Sequence, residues 1–327
     1  MNILITGGAG FIGSHLSEKL CKKHKVTIID NFSTGRISNI NKFKSKLKII
    51  DLDLSKNNLF KNSYLKKKNF DQIYHLAALA DITPSIINPY SYYESNVKGT
   101  LNVLKFAVEK KIKKFIYTAS SSCYGIPNKY PTKETCRIDT RYPYALTKYL
   151  GEQLVLHWSK LYNLNALSFR LFNVYGTRSR TSGTYGAAFG VFLAQKLAGK
   201  PYTVVGDGTQ TRDFTYVDDV VDALIAGSNS SIKNDIFNVG SGKTISINRI
   251  IKLLKGKSVY IPKRPGEPNC TFADISKIKN KLAWAPRIPI EKGIKKLLIN
   301  ISYWKNAPVW TPRSIETATK EWFEKVK

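Results

Sequence analysis

Apolar residues in the first half of the chain fall in short runs, and these alternate with stretches of helical period. Ile3-Leu4-Ile5 opens the series, and further runs lie at 26–30, 47–50, 72–76, 114–118 and 164–170. Runs of this length without polar alternation predict strands covered on both faces. Between them, helical patterns occur at 15–20, at 89–110 and from about 144 to 161. In the second of these, Tyr92, Tyr93, Asn96, Leu101, Leu104 and Val108 are the candidates for burial. Residues 55–70 are polar and lysine-rich and predict a surface helix and loop. Strand–helix alternation over 1–170 predicts an α/β fold, a doubly wound parallel sheet with helices on both faces. Beyond 175 the pattern loosens into a polar loop at 176–187, a helix at about 188–199, a short strand at 202–205 and a turn at Asp207-Gly208. The expected division is a first domain at 1–175 and a smaller α/β domain at 176–327, with the chain crossing back to the first near 210–240.

Composition narrows the classes. The chain has 327 residues, 43% of them hydrophobic, enough for a sizeable core. No apolar run reaches the length of a membrane span. No basic segment and long apolar stretch precede the first strand, so a secretory signal is not expected. Cys21, Cys123, Cys136 and Cys270 have no metal-ligand spacing, and with four histidines neither a metal site nor a disulfide framework is expected. A cytoplasmic location fits. The net charge of +29 comes from 41 Lys and 11 Arg spread in short runs. It is read as a solvated basic surface, with a polyanion partner as the alternative.

The candidate chemistry begins at Gly7-Gly8-Ala9-Gly10-Phe11-Ile12-Gly13, between the first strand and the first helix. Glycines at 7, 10 and 13 allow a tight turn, close approach of backbone to a pyrophosphate and close helix–strand packing. The helix N-terminus adds N–H donors. Asp30 ends the second strand, where an acid bonds ribose hydroxyls and repels a 2′-phosphate, favouring NAD over NADP. Asn31 follows it. Asp53 and Leu54 are placed to edge an adenine, and small Ala77 and Ala78 let a cofactor lie over the fourth strand's end. Asn96 is expected to bond a neighbouring loop or the cofactor. His75, inside an apolar strand, is read as structural. Ser120-Ser121-Ser122 ends the fifth strand, where ligands of such sheets bind. Tyr144 and Lys148 stand four apart on one helical face, and an ammonium beside a phenol lowers its pKa. Spacing alone carries little. With 18 Tyr and 41 Lys, composition places about two such pairs in the chain, and two occur. The other, Tyr64–Lys68, is read as a solvated surface pair.

Together these motifs, with Arg212-Asp213-Phe214-x-Tyr216-Val217-x-Asp219, resemble the extended short-chain dehydrogenase/reductase family that acts on nucleotide sugars. The resemblance spans nearly the whole chain. It implies a Rossmann-type sheet with a smaller C-terminal substrate domain, bound NAD, and a homodimer formed through helices 89–110 and 144–161. The partners it implies are a nucleotide sugar, UDP-linked, and a second copy of the chain; neither a membrane nor nucleic acid is expected. It assigns Tyr144 as the base at a sugar hydroxyl, Lys148 to the nicotinamide ribose and Ser120 to the reacting oxygen. It further assigns Asn173 to a substrate phosphate, Arg212 and Arg264 to the diphosphate and Glu267 to the nucleotide ribose. Thr271, at a position of the family that gauges sugar size, is small. Arg178 and Arg180 are placed to reach a sugar carboxylate. The segment 183–190 lacks an asparagine that many relatives carry. Dehydratases of the family place Asp-Glu after the hydroxyl residue, and decarboxylases a Glu at the position of Ser122. This chain has Ser121 and Ser122, which leaves 4-epimerisation as the expected chemistry. Dehydration or decarboxylation of a nucleotide sugar and a non-enzymatic RNA-binding role are the alternatives.

Overall fold

The computed structural model describes residues 1–56, 59–179 and 188–326. Seven parallel strands form one sheet: β1 (Asn2–Thr6), β2 (Lys25–Asp30), β3 (Leu47–Asp51), β4 (Gln72–His75), β5 (Lys114–Ser120), β6 (Ala166–Leu171) and β7 (Asp235–Val239). Their spatial order is β7-β6-β5-β4-β1-β2-β3. The order reverses between β1 and β4, and that reversal opens a crevice at the strands' carboxyl ends. Ile3, Leu4 and Ile5 are fully buried, as a strand covered on both faces requires. The sheet is covered by α1 (Phe11–Leu20), α2 (Gly99–Glu109), α3 (Pro143–Leu161) and α4 (Val217–Asn229). β7 pairs with β6 from Asp235↔Leu167 to Val239↔Leu171, which makes residues 235–239 the edge strand of this sheet. A smaller parallel pair, Tyr202–Val205 with Ser258–Ile261, and a separate apolar cluster around Phe192, Ile250, Leu297 and Trp304 make up the second region.

The expected helix at 89–110 is interrupted. Pro89–Tyr93 leads into a π-turn at Glu94–Lys98 before α2 begins. The extra residue in that turn shifts the helical phase. Tyr93 and Leu101, expected in the core, are 51% and 39% exposed, whereas Tyr92, Asn96 and Leu104 are buried. Tyr64 also departs from the solvated pair expected with Lys68. It is half-buried, its hydroxyl lies 3.3 Å from Thr27 Oγ1, and the ammonium above its ring, at 5.3 Å, is that of Lys48. His75 is a core residue. Its ring nitrogens face Thr6 Oγ1 at 2.7 Å and Thr100 Oγ1 at 2.9 Å, and burial pushes its pKa down to about 3.

Candidate active site

The loop from β1 to α1 is built by its glycines. Gly7 takes φ +71°, and a Cβ there would stand 2.8 Å from the Ala77 backbone nitrogen. A Cβ at Gly13 would run into the Gly7 carbonyl. α1 begins after Gly10, which offers no side-chain cap, so first-turn N–H groups are left for a ligand. Asp30 is almost fully buried at the end of β2. Its carboxylate accepts the N–H groups of Ala9 and Phe32, both at 2.9 Å. Burial nonetheless raises its pKa above the ordinary value.

These residues open into one cavity of about 670 Å³. Gly7, Gly10, Phe11, Ile12, Gly13, Asp30, Asn31, Asp53, Leu54 and Ala77 line one end. Ser120, Ser121, Ser122, Tyr144 and Lys148 lie on its wall, and Asn173, Arg178, Arg212, Arg264, Glu267 and Thr271 also face it. Among the described residues, Asn96 is the expected contact that does not line it. Its amide is spent on the backbone of Leu79, accepting at 2.8 Å and donating at 3.0 Å, and on Thr147 Oγ1 at 3.1 Å. Asn96 therefore fixes the loop after β4 against α3. Arg180 and residues 183–187 lie outside the described residues.

Of the Ser–Tyr–Lys group, Ser120 and Lys148 are buried and Tyr144 is half-buried. Ser120 Oγ lies 2.8 Å from Ser122 Oγ and accepts the Ser122 N–H at 3.2 Å, and it also hydrogen-bonds the Tyr144 side chain. Tyr92 meets Tyr144 edge-on, with centroids 6.4 Å apart. The expected acidic shift of Tyr144 is not what the structure gives. Burial raises the phenol above its ordinary value, and the hydrogen bond from Ser120 only partly offsets this. Lys148 takes the complementary shift. Its ammonium sits 4.3 Å from the Tyr117 ring centroid, and burial brings its pKa down to about 7 against the opposing charge of Glu152. A low dielectric disfavours both charges.

This has a consequence for stability. Above pH 7 the folded protein loses the Lys148 proton, while the unfolded chain keeps it up to its ordinary value near 10.5. The unfolded state then binds more protons, so stability contributed at this site rises with pH above 7. Thermal melts of wild type and Lys148→Met between pH 6 and 9 should show the difference. The variant is expected to gain most at the acid end, with the advantage shrinking toward pH 9. A pH-independent difference would contradict the shift.

Two features carry no single-motif signal. Arg170 on β6 and Glu152 on α3, both almost fully buried, form a bidentate pair, with Arg170 Nη2 to Glu152 Oε1 at 2.6 Å and Nε to Oε2 at 3.0 Å. Arg170 Nη1 donates to Tyr124 Oη at 2.8 Å, and Tyr124 in turn donates to Asn238 Oδ1 at 2.7 Å on β7. One guanidinium thus ties the helix bearing Tyr144 and Lys148 to the turn bearing Ser120. A charged residue within an apolar strand, and an acid four residues after Lys148, were the readable hints. The second feature is the C-terminal segment, whose Tyr303, Trp310 and Trp322 reach the same cavity. Tyr303 donates to Asn39 Oδ1 at 2.8 Å, and Asn39 donates to Ala9 O at 2.9 Å in the glycine loop.

At the other end, Glu267 accepts from Arg212 Nη2 at 2.9 Å and from Arg264 Nε at 3.0 Å. Burial favours the neutral acid, but the charges of Arg264 and Arg212 outweigh it and hold Glu267 below the ordinary range. Trp322 packs against the Arg264 guanidinium at 5.1 Å. Thr271 Oγ1 donates to Asn173 Oδ1 at 2.7 Å and accepts the Asp213 N–H at 3.2 Å. Arg178 pairs with Glu18 and lies over Phe43, on the α1 side.

Residues 3–240 match the model of the NAD dependent epimerase/dehydratase family. The chain belongs to this family. It is 35% identical over 309 residues to the UDP-glucuronate 4-epimerase of Thermodesulfobacterium geofontis, covering 90% of this chain and 94% of that protein. The solved UDP-glucose 4-epimerase of Thermotoga maritima, with UDP-glucose, superposes with a TM-score of 0.85 at 31% identity, over 94% of this chain and 99% of that one. The UDP-glucuronic acid 4-epimerase of Bacillus cereus, with UDP-glucuronic acid and NAD, gives 0.84 at 33%, with the same coverage. The Rossmann-type fold expected from the motifs is the fold of these family members. Among the described residues no group of side chains could hold a metal ion, and no helix is long and apolar enough to cross a membrane.

Proposed function

We propose that this family member is a nucleotide-sugar 4-epimerase acting on a UDP-linked hexose or a near relative of it. The observation that carries the reading is the hydroxyl array at Ser120 and Ser122, hydrogen-bonded to Tyr144, with no carboxylate in that turn. Elimination of water needs an acid and a base beside the sugar, and Ser120-Ser121-Ser122 supplies neither.

The glycine cradle, the uncapped start of α1 and the buried Asp30 fit a dinucleotide. Gly7, Gly10 and Gly13 would hold the diphosphate of NAD, Asp30 and Asn31 its adenosine ribose, and Asp53 and Leu54 its adenine edge. NAD supplies reversible hydride exchange at sugar C4. In its phenolate form Tyr144 would take the C4 hydroxyl proton at Oη, becoming the neutral phenol, and would return that proton on re-reduction, with Ser120 Oγ holding the same sugar oxygen. Lys148 binds the nicotinamide ribose, and its charge favours the phenolate while Tyr144 is deprotonated. Its pKa near 7 lets it carry that charge without a large free-energy change at neutral pH. Arg212 and Arg264 hold the sugar's diphosphate at the far end, so the sugar can turn over while its nucleotide stays fixed. Glu267, already bridging both arginines, takes the nucleotide ribose.

The test is product identity. UDP-glucose, UDP-N-acetylglucosamine, UDP-glucuronate and dTDP-glucose are incubated separately, and products are read by NMR and mass spectrometry. The expected product from at least one is its C4 epimer at unchanged mass. A 4-keto-6-deoxy product, or released carbon dioxide, would replace this reading with dehydration or decarboxylation.

A further inference from the structure

Part of the +29 charge gathers at one end of the fold. In an all-parallel sheet every turn that leads into a strand lies at one end, opposite the ligand crevice. Exposed lysines stand in each such turn: Lys22 and Lys23 before β2, Lys44 and Lys46 before β3, Lys66 and Lys67 before β4. Lys111 and Lys113 precede β5, Lys160 precedes β6 and Lys233 precedes β7. The acids nearest them are already engaged. Asp71 is bonded to Lys113 and to the Asn2 N–H, Glu109 to Lys105, and Asp235 to Lys277 and Lys281. Among the described residues, only Lys113 of the ten lysines has a carboxylate partner.

The face is also broad, and the strand starts step by three residues in total from β1 to β7. Register pairs Asn2 with Lys25, Val26 with Leu47, Ile3 with Gln72, Gln72 with Lys114, Phe115 with Ala166 and Leu167 with Asp235. Neighbouring strands therefore start within about one residue of each other, across six gaps of ~4.8 Å. Helix ends here would be satisfied by one cation each; ten lysines in six turns exceed that. No arginine stands in these turns. Arginine forks are a main device of duplex recognition. Leu161 and Tyr162, 62% and 49% exposed at the end of α3, add apolar and amphipathic surface at the same end.

We infer that the end of the sheet opposite the crevice is a docking face for an anionic lipid surface. Lysines attract such a surface without geometric demands, and exposed Leu161 and Tyr162 match its interfacial layer. The absence of an apolar span does not bear on this, because peripheral docking needs none. The active-site cavity, built from the opposite strand ends, stays open to solution while the face is engaged.

Cosedimentation of the full chain with vesicles tests it. Vesicles of phosphatidylglycerol and phosphatidylcholine in equal parts are compared with phosphatidylcholine alone, at low and high salt. The expected result is binding to the anionic vesicles only, weakened about tenfold or more by salt that shortens the screening length. The variant Lys22→Glu/Lys23→Glu/Lys66→Glu/Lys67→Glu should lose binding while keeping turnover of soluble substrate. A control with the same charge change elsewhere, Lys243→Glu/Lys252→Glu/Lys292→Glu/Lys295→Glu, should retain it. Absence of binding by wild type, or equal loss in the control, overturns the inference. Tighter binding to duplex DNA than to anionic vesicles, abolished by the same four substitutions, would make the face a nucleic-acid surface instead and equally overturns it.

Discussion

Tyr144→Phe is expected to lower kcat by about a thousandfold or more while NAD remains bound and the fold is kept. In the mechanism proposed above the phenol oxygen exchanges a proton with the sugar hydroxyl, and removing a positioned acid–base group costs roughly 10²- to 10⁴-fold. The ring itself is held by packing against Tyr92 and by α3, so Phe fills the same space. KM should change little, because the diphosphate contacts proposed for Arg212 and Arg264, both held by Glu267, do not involve the Tyr144 hydroxyl. The measurement is steady-state turnover on the substrate identified by product analysis, with NAD content read by absorbance of the released cofactor. A variant that keeps more than a tenth of wild-type kcat would remove Tyr144 from the mechanism. Loss of NAD together with activity would indicate a damaged site.

The second large effect is on stability. Glu152→Ala leaves the Arg170 guanidinium buried without its carboxylate and leaves Ser168 Oγ without its acceptor. Breaking one partner of a buried ion pair costs about 3–5 kcal/mol. Against a typical total of about 5–15 kcal/mol, that is a large fraction. Urea unfolding should show the midpoint displaced far to lower denaturant. The double variant Glu152→Leu/Arg170→Met, which removes both charges, is expected to recover much of the loss. A single variant within about 1 kcal/mol of wild type would mean that water or another group compensates Arg170. The pair also separates structural from chemical roles. The double variant loses the link from Arg170 to Tyr124, and with it the tie between α3 and the turn after Ser120. Lower kcat at near-normal stability would therefore report on positioning.

Much of the site was legible because its parts obey local rules. The glycine loop follows from the positive φ at Gly7 and the lack of room at Gly13, which only glycine meets. Tyr144 and Lys148 share a helical face by the period of the helix alone. Asp30 and Ser120 fall at strand ends because apolar runs stop there, and in a parallel sheet the carboxyl ends of strands meet the ligand crevice. The charge of +29 was equally plain, but its arrangement was not. Ten lysines far apart in the sequence share one end of the sheet only because every strand runs the same way.

Other features were decided by contacts between distant parts of the chain. Asn96 could be placed on a helix, but whether its amide met a cofactor or the Leu79 backbone depended on how a π-turn set its phase. Tyr303 reaches Asn39 across 264 residues, and no local pattern encodes such a contact. Arg170 and Glu152 are each ordinary in sequence; their pairing depends on α3 packing over β6. The Tyr144 shift runs opposite to the local expectation for the same reason. A neighbouring lysine four residues away lowers a phenol's pKa in an open helix, but the fold buries both groups, and desolvation then raises the phenol and brings Lys148 down to about 7. Periodicity, backbone sterics and residue type act over a few residues, so the sequence by itself determined the strands, the cradle and the chemical groups. Burial and long-range hydrogen bonds arise only when separate elements pack, so the tertiary structure alone decided which charges are shielded, which side chains are held and which end of the sheet carries the lysines.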